Sequence, residues 1–277
     1  MKIYFHRFTL NPLKPLNRFS REETREGVFL KSDSANGIGM CEYFPHRELE
    51  DPAVDEFLET FSEGRFIVQQ KALYLLNPYW IRQSASKSFH NHSFSESGMV
   101  VKYKLKDEKD YSFINQFDKV ERYRLDANGL FTDESWKIFY QGLPHEVKVK
   151  IEYVEDPLST VDWSSIKTPC AQDFIKGGPA QLIILKPYRD FYPDTDKTVI
   201  FSGNMGHGLS NFQTYLELLD KGNLDLYHGI LTPHLYENVP ELFVRTRDNQ
   251  FQPDTKAIND YINHLSSMEW SHLCTII

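Results

Sequence analysis

From His90 onward the chain alternates short apolar runs with polar breaks. HNHSF, MVVKYKL, RYRLDA, VKIEYVE, PCAQDF, LIILKP, TVIFSG and LYHGIL make eight strand-like segments. Several gaps can hold a helix, for example SWKIFYQGL and NFQTYLELLDKG. Strands alternating with helices predict an α/β protein with a parallel sheet, and eight such units predict a TIM-type barrel. The eight segments span about 145 residues, against about 250 for a typical barrel of this kind. SESG, between the first two strands, is too short for a helix. The barrel is therefore expected to be shortened, with helices missing.

The flanks of this region have a different rhythm. In residues 1 to about 45, IYFHRFTL, EGVFLKS and GMCEYF are separated by the turn-rich NPLKPLN and SDSANGIG, which predicts an antiparallel sheet. PAVDEFLETF carries Val54, Phe57, Leu58 and Phe61 at helical spacing, with Asp51 as N-cap before Pro52. A second helix is expected within FIVQQKALYLL, ending before Pro78. Past about residue 236, FVRTRDNQFQ reads as a strand and turn and AINDYINHLSSM as a short helix. Both are expected to return to the N-terminal sheet.

Charged residues punctuate the barrel strands in one recurring place. Lys104, Asp126, Glu155, Asp173 and Lys186 each stand where an apolar run gives way to a turn. In a parallel barrel that place is the active-site face. Singly, each has a plain reading: an Asx turn at Asp126 before Asn128-Gly129, an acidic loop at Glu155-Asp156 before Pro157, a solvated edge at Lys102, Lys104 and Lys106. Together they form a set that surface charge scattered over both ends would not give. Three carboxylates suit a hard divalent cation, and a lysine on each side makes a proton-transfer pair. Lys102 and Lys104 share a strand face, about 6.6 Å apart along the strand. Each is expected to lower the other's pKa.

Composition narrows the class. The chain has 277 residues, 40% hydrophobic and 25% charged, as in an ordinary globular protein. No apolar run reaches the roughly 18 residues of a membrane span, and MKIYFHRFTLNPLKPL lacks a secretory core. Three widely spaced cysteines suggest neither a disulfide framework nor a zinc site, so a cytoplasmic protein is expected. A net charge of −8 argues against nucleic acid as partner, but not against a small carboxylate substrate. His90 and His92 read as polar strand-end groups, His228 as structural, and His207 as a candidate carboxylate contact.

The series K-x-K at Lys102 and Lys104, D-A-N-G from Asp126, V-E-D-P around Glu155, then Asp173 and Lys186-Pro187, resembles the enolase superfamily. REGVFLK and GIGMCEYFPHRELEDPAVDEFL resemble that family's capping-domain sheet and first helix, and Glu155 follows Asp126 by 29 residues, as the family's strand step requires. Within the superfamily the resemblance is to the o-succinylbenzoate synthase family, to which SGNMGHGLSNF also points. The resemblance implies a shortened (β/α)7β barrel over 90–235 and an α+β capping domain built from 1–89 and 236–277. It implies Asp126, Glu155 and Asp173 as ligands of Mg2+, with Mn2+ as a substitute, and Lys104 as the base. Lys186 would stand opposite, and Lys102, Asn204, Met205 and Gly206 beside the substrate. The chain departs from the pattern at Phe174, where the family usually has glutamate, and in its short steps to Asp173 and Lys186. The K-x-K register can also slide to Lys104 and Lys106.

The implied reaction is a Mg2+-dependent dehydration that begins with proton removal beside a carboxylate. Racemisation of N-succinylamino acids, dipeptide epimerisation and cycloisomerisation are alternatives on the same scaffold. Leu224-Asp225-Leu226-Tyr227 lacks the Asp-x-Asp pair of the epimerases. A catalytically silent barrel that only binds a ligand is the remaining alternative.

Overall fold

The computed structural model describes residues 1–13, 24–81, 87–92, 98–173, 179–231 and 235–276. The chain forms two compact units: Met1–His90, Lys186–Pro193 and Phe201–Ile277 in one, Asn91–Leu185 and Asp194–Ile200 in the other.

The first unit is built on a four-stranded antiparallel sheet in the order Ser271–Thr275, Lys2–Leu10, Arg25–Ser34, Gly37–Tyr43. Ser34 pairs with Gly37, so Ala35-Asn36 is a two-residue hairpin loop, and Gly37 takes a left-handed φ of 114° that favours glycine. Val28, Phe29 and Leu30 are all buried in succession, so this strand is covered on both faces. Helix Val54–Glu59 supplies part of that cover, and helix Ile67–Leu75 packs on the neighbouring strand Gly37–Tyr43; the Tyr43 and Phe57 rings stack at 3.8 Å. Gly39 lets the end of the second helix approach, because a Cβ there would lie 1.8 Å from the Leu76 carbonyl.

The expected helices are present, with one correction. Asp51 does not cap the first helix; Ala53 holds that position, and Asp51 instead accepts the His46 N–H at 2.8 Å. The C-terminal hairpin Phe243–Arg245/Phe251–Pro253 and helix Thr255–Ser267 lie where their patterns predict, but the hairpin forms a two-stranded sheet of its own and does not join the N-terminal sheet as expected. The edge strand Ser271–Thr275 does not follow from its pattern, because its side chains are half-exposed or exposed throughout.

The second unit carries a six-stranded sheet in the order Thr198–Phe201, Leu182–Leu185, Cys170–Gln172, Ile151–Glu155, Val120–Asp126, Gly98–Lys104. Neighbouring strands from Gly98 to Leu185 pair in parallel. Strand alternation sorts the side chains. Val101, Tyr123, Leu125 and Val154 face a core with Trp136 and Phe139 of helix Asp133–Gly142. Thr132 caps that helix by accepting the Ser135 N–H. No α-helix intervenes between Glu155 and Cys170 or between Leu185 and Thr198, as the shortened spacing predicts. In the first gap the buried Trp163 joins the core instead. His90–Asn91 and Tyr227–His228 form two-residue strands outside the six-stranded sheet. Most of SESG and most of the turn-rich NPLKPLN lie outside the described residues. Among the described residues no helix is long and apolar enough to cross a membrane.

Candidate active site

Parallel register stacks the polar side chains in two tiers. Lys104 is level with Asp126, and Asp126 with Glu155. Two residues earlier, Lys102 is level with Arg124, and Arg124 with Tyr153. With a strand period of two, all six project from the same face, opposite the apolar core. The upper tier lies at the C-terminal ends of its strands. Backbone bonds from Leu105 N–H to Asp126 O at 2.9 Å and from Ala127 N–H to Glu155 O at 3.0 Å extend the ladder to that rim.

The Lys102 ammonium rises from the lower tier between two carboxylates. It donates to Glu155 at 2.7 and 2.8 Å and stands 3.0 Å from Asp126 Oδ2. The other Asp126 oxygen accepts from the Asn128 side chain, whose left-handed backbone opens the Asn-Gly turn. Asp126 and Glu155 are both buried, so their charges are expressed in a poorly screened environment. Burial pushes Glu155 up to about 8 against the pull of Lys102, with Asp126 and Asp173 adding to the rise. Burial opposes the Lys102 charge, yet Asp126 and Glu155 outweigh it and hold the ammonium well above its ordinary value. This corrects the expectation of a lysine pair that lowers both pKa values: the carboxylates dominate at Lys102.

Asp173 is buried just past the Cys170–Gln172 strand, and its N–H donates to Asp156 Oδ1 at 3.1 Å. Its charge acts on both Glu155 and Lys102. Lys104 is half-buried in the upper tier. Lys186 is buried after its strand and belongs to the first unit, where its carbonyl accepts the Arg189 and Asp190 N–H groups. Among the described residues no three His, Cys, Asp or Glu side chains stand close enough together to hold a metal ion. The donor set nonetheless suits a hard cation: two buried carboxylates already converge on one positive charge, and a third acts on it.

Asn204, Met205 and Gly206 also belong to the first unit. Asn204 donates to Phe44 O at 3.0 Å, and its carbonyl is bonded by the His46 ring at 2.7 Å. Tyr236 donates to Met205 O at 2.7 Å. A Cβ on Gly206 would lie 2.4 Å from Glu42 Oε1. Two backbone N–H groups just past Gly206 have a carboxyl partner within the chain. Glu42 accepts from His207 N–H at 2.8 Å and Ser210 N–H at 2.9 Å, at the start of helix Gly208–Lys221. The His207 ring is bonded to Gly208 N–H and Tyr261. Burial takes it down to about 4, so it is neutral near pH 7 and is not a cationic carboxylate contact.

His90 and His92 bond Gln250 and Arg124 respectively, and His228 accepts the Phe201 N–H. Arg124 and Tyr153 were not singled out from sequence. The signal was there, in R-x-D and Y-x-E beside K-x-K, each placing a second polar group on the carboxylate's face.

Comparisons with known proteins bear on the family likeness and the fold. Residues 3–76 match the family model described as the o-succinylbenzoate synthase N-terminal domain. The chain is 26% identical to the o-succinylbenzoate synthase of Bdellovibrio bacteriovorus over 294 residues, covering 86% of this chain and 88% of that one. The o-succinylbenzoate synthase of Thermosynechococcus elongatus BP-1, solved with Mg in its active site, superposes with a TM-score of 0.59 at 14% identity, covering 95% of this chain and 100% of that one. An enolase family member from Agrobacterium tumefaciens with homology to dipeptide epimerases, solved with sodium and L-Ala-L-Glu, gives 0.68 at 11% identity, over 92% and 99%. In sequence the chain is thus similar to o-succinylbenzoate synthase, and it shares the fold of such a synthase and of an enolase family member.

Proposed function

We propose that the chain is an o-succinylbenzoate synthase. It dehydrates 2-succinyl-6-hydroxy-2,4-cyclohexadiene-1-carboxylate to 2-succinylbenzoate, a carbon–oxygen lyase reaction of menaquinone biosynthesis. The observation that carries this reading is the convergence of Asp126 and Glu155 on one cation at a parallel rim, with Lys104 level beside them. The N-terminal family match and the Bdellovibrio relative support the choice of substrate. In this reading 90–235 is a shortened (β/α)7β barrel, and 1–89 with 236–277 is its cap.

Asp126, Glu155 and Asp173 would hold Mg2+, or Mn2+ in its place. The bound ion would supply Lewis-acid stabilisation for the negative charge that builds on the substrate carboxylate. Neutral Lys104 takes the proton alpha to that carboxylate, leaving an enediolate. Lys186 stabilises the added charge through its own. In a syn elimination the hydroxyl leaves from the face Lys104 occupies, so the Lys104 ammonium can return the proton to it as water departs. In this reading Asn204, Met205, Gly206 and Lys102 are the substrate-binding residues. The product ring is aromatic, so the site needs mainly to stabilise the intermediate.

Direct assay with the cyclohexadiene precursor tests the reading. Turnover that requires Mg2+ is expected, and no turnover with or without the ion would overturn it. The likeness to the Agrobacterium protein holding L-Ala-L-Glu favours a second reading, epimerisation or racemisation on the same scaffold. Mg2+-dependent exchange of the α-proton of a dipeptide or an N-succinylamino acid, without precursor turnover, would select it.

A further inference from the structure

We infer that Lys102 is the resident counter-ion of the Asp126–Glu155 pair, and that a divalent cation binding there exchanges with its ammonium, which moves to the Tyr153 hydroxyl. The inference rests on the metal-dependent reading above and adds a cost and a destination to metal binding.

The first observation is the bridge itself. One buried ammonium bridges two buried carboxyl groups, touching Glu155 at 2.7 and 2.8 Å and Asp126 at 3.0 Å. Two carboxylates this deeply buried resist joint ionisation unless a positive charge lies between them. A divalent ion seated on the same oxygens would face a like charge at contact distance, so both cations cannot occupy that position.

The second observation is an acceptor with nothing to accept. The Tyr153 hydroxyl is buried and has no hydrogen-bond partner among the described residues. Such a group is costly unless something uses it. It projects from the face that carries Lys102, one strand beyond Arg124 in the same tier and two residues before Glu155. The Arg124 guanidinium lies 4.9 Å from the centre of the Tyr153 ring and is itself tied to Glu152 at 2.7 Å. The ring is therefore fixed, with its oxygen free to receive an ammonium. Lys102 has four rotatable methylenes, enough to trade the carboxylates for the phenol without moving its backbone.

Lys102 is thus a positioning residue. It holds the carboxylates together while no metal is bound and competes with the metal for them. Calorimetric titration of the full chain with MgCl2 alone tests this. Lys102→Met is expected to bind Mg2+ about tenfold more tightly, because the competitor is gone, and to melt lower than wild type when metal-free. General structural damage would weaken affinity, so equal or weaker binding in this variant overturns the inference. If the variant is unfolded without metal, refolding on addition of MgCl2 supports the exchange, and failure to refold overturns it. Tyr153→Phe keeps the ring and removes the acceptor; Mg2+ affinity about tenfold weaker, with an unchanged metal-free melt, is expected. Unchanged affinity would overturn the role of Tyr153. Failure here alongside Mg2+-dependent precursor turnover would leave the proposed function standing. Success here without turnover would remove the function and keep the exchange.

Discussion

Glu42 and Glu155 are the same residue type, equally buried, and both pushed by burial up to about 8. They serve different ends. Glu42 lies in the antiparallel sheet of the first unit and receives two backbone N–H groups at the start of helix Gly208–Lys221. Its partners are fixed amides that belong to the fold. Glu155 lies at a strand end of the second unit and meets a lysine side chain that a second carboxylate shares. Its partner is a cation that can be exchanged. A displaced pKa therefore does not by itself mark the site. What marks it is convergence of several charged side chains on one point, with a partner that can leave.

The largest expected effect tests whether the Glu155 cluster is the reactive one. Lys104→Ala should lower kcat on the cyclohexadiene precursor by about 10³-fold, within the usual range for loss of a general base, while Mg2+ and substrate still bind. Normal turnover in that variant would sink the assignment. Next, the same change at the two glutamates separates them. Glu155→Gln, and likewise Asp126→Asn, should weaken Mg2+ affinity by about 10–100-fold, whereas Glu42→Gln should leave it unaltered. Unchanged metal titrations in both site variants would rule out the ligand pair.

Glu42→Gln should act on stability instead. It replaces a carboxyl oxygen that accepts a backbone N–H with an NH2 group that cannot accept, at a cost of about 1–3 kcal/mol in chemical denaturation. The smallest effect is its pH dependence. In the folded protein Glu42 keeps its proton up to about pH 8, whereas an unperturbed glutamate releases it near 4.5. Its stabilising term is complete below that lower value and is lost as pH rises through 8. The stability advantage of wild type over the variant should therefore shrink by about 1–2 kcal/mol between pH 6.5 and 8. An advantage that grows with pH would show that Glu42 is held ionised by the helix N-terminus.

The strand ends were legible because two independent periods agree there. Apolar runs give the strands, and a charge at the same place on each gives the rim. The order Gly98–Lys104, Val120–Asp126, Ile151–Glu155, Cys170–Gln172, Leu182–Leu185, Thr198–Phe201 follows from the alternation of strand with connection. The strand Ser271–Thr275 was not legible, since it pairs at an edge where no core face imposes alternation. Asp51 was misread as a cap because its true partner, the His46 N–H, lies upstream of the helix.

By itself the sequence determined which residues stand at the rim and which share a face, since strand period and strand order are local properties. It also carried the family likeness that gives those residues candidate roles. It did not determine that Lys102 would bind Glu155, 53 residues away, rather than repel Lys104 beside it. Nor did it foretell that Glu42 would take the N–H groups at the start of helix Gly208–Lys221. Those pairings depend on which charges the fold buries side by side, and burial strength and partner distance exist only once the chain has closed on itself.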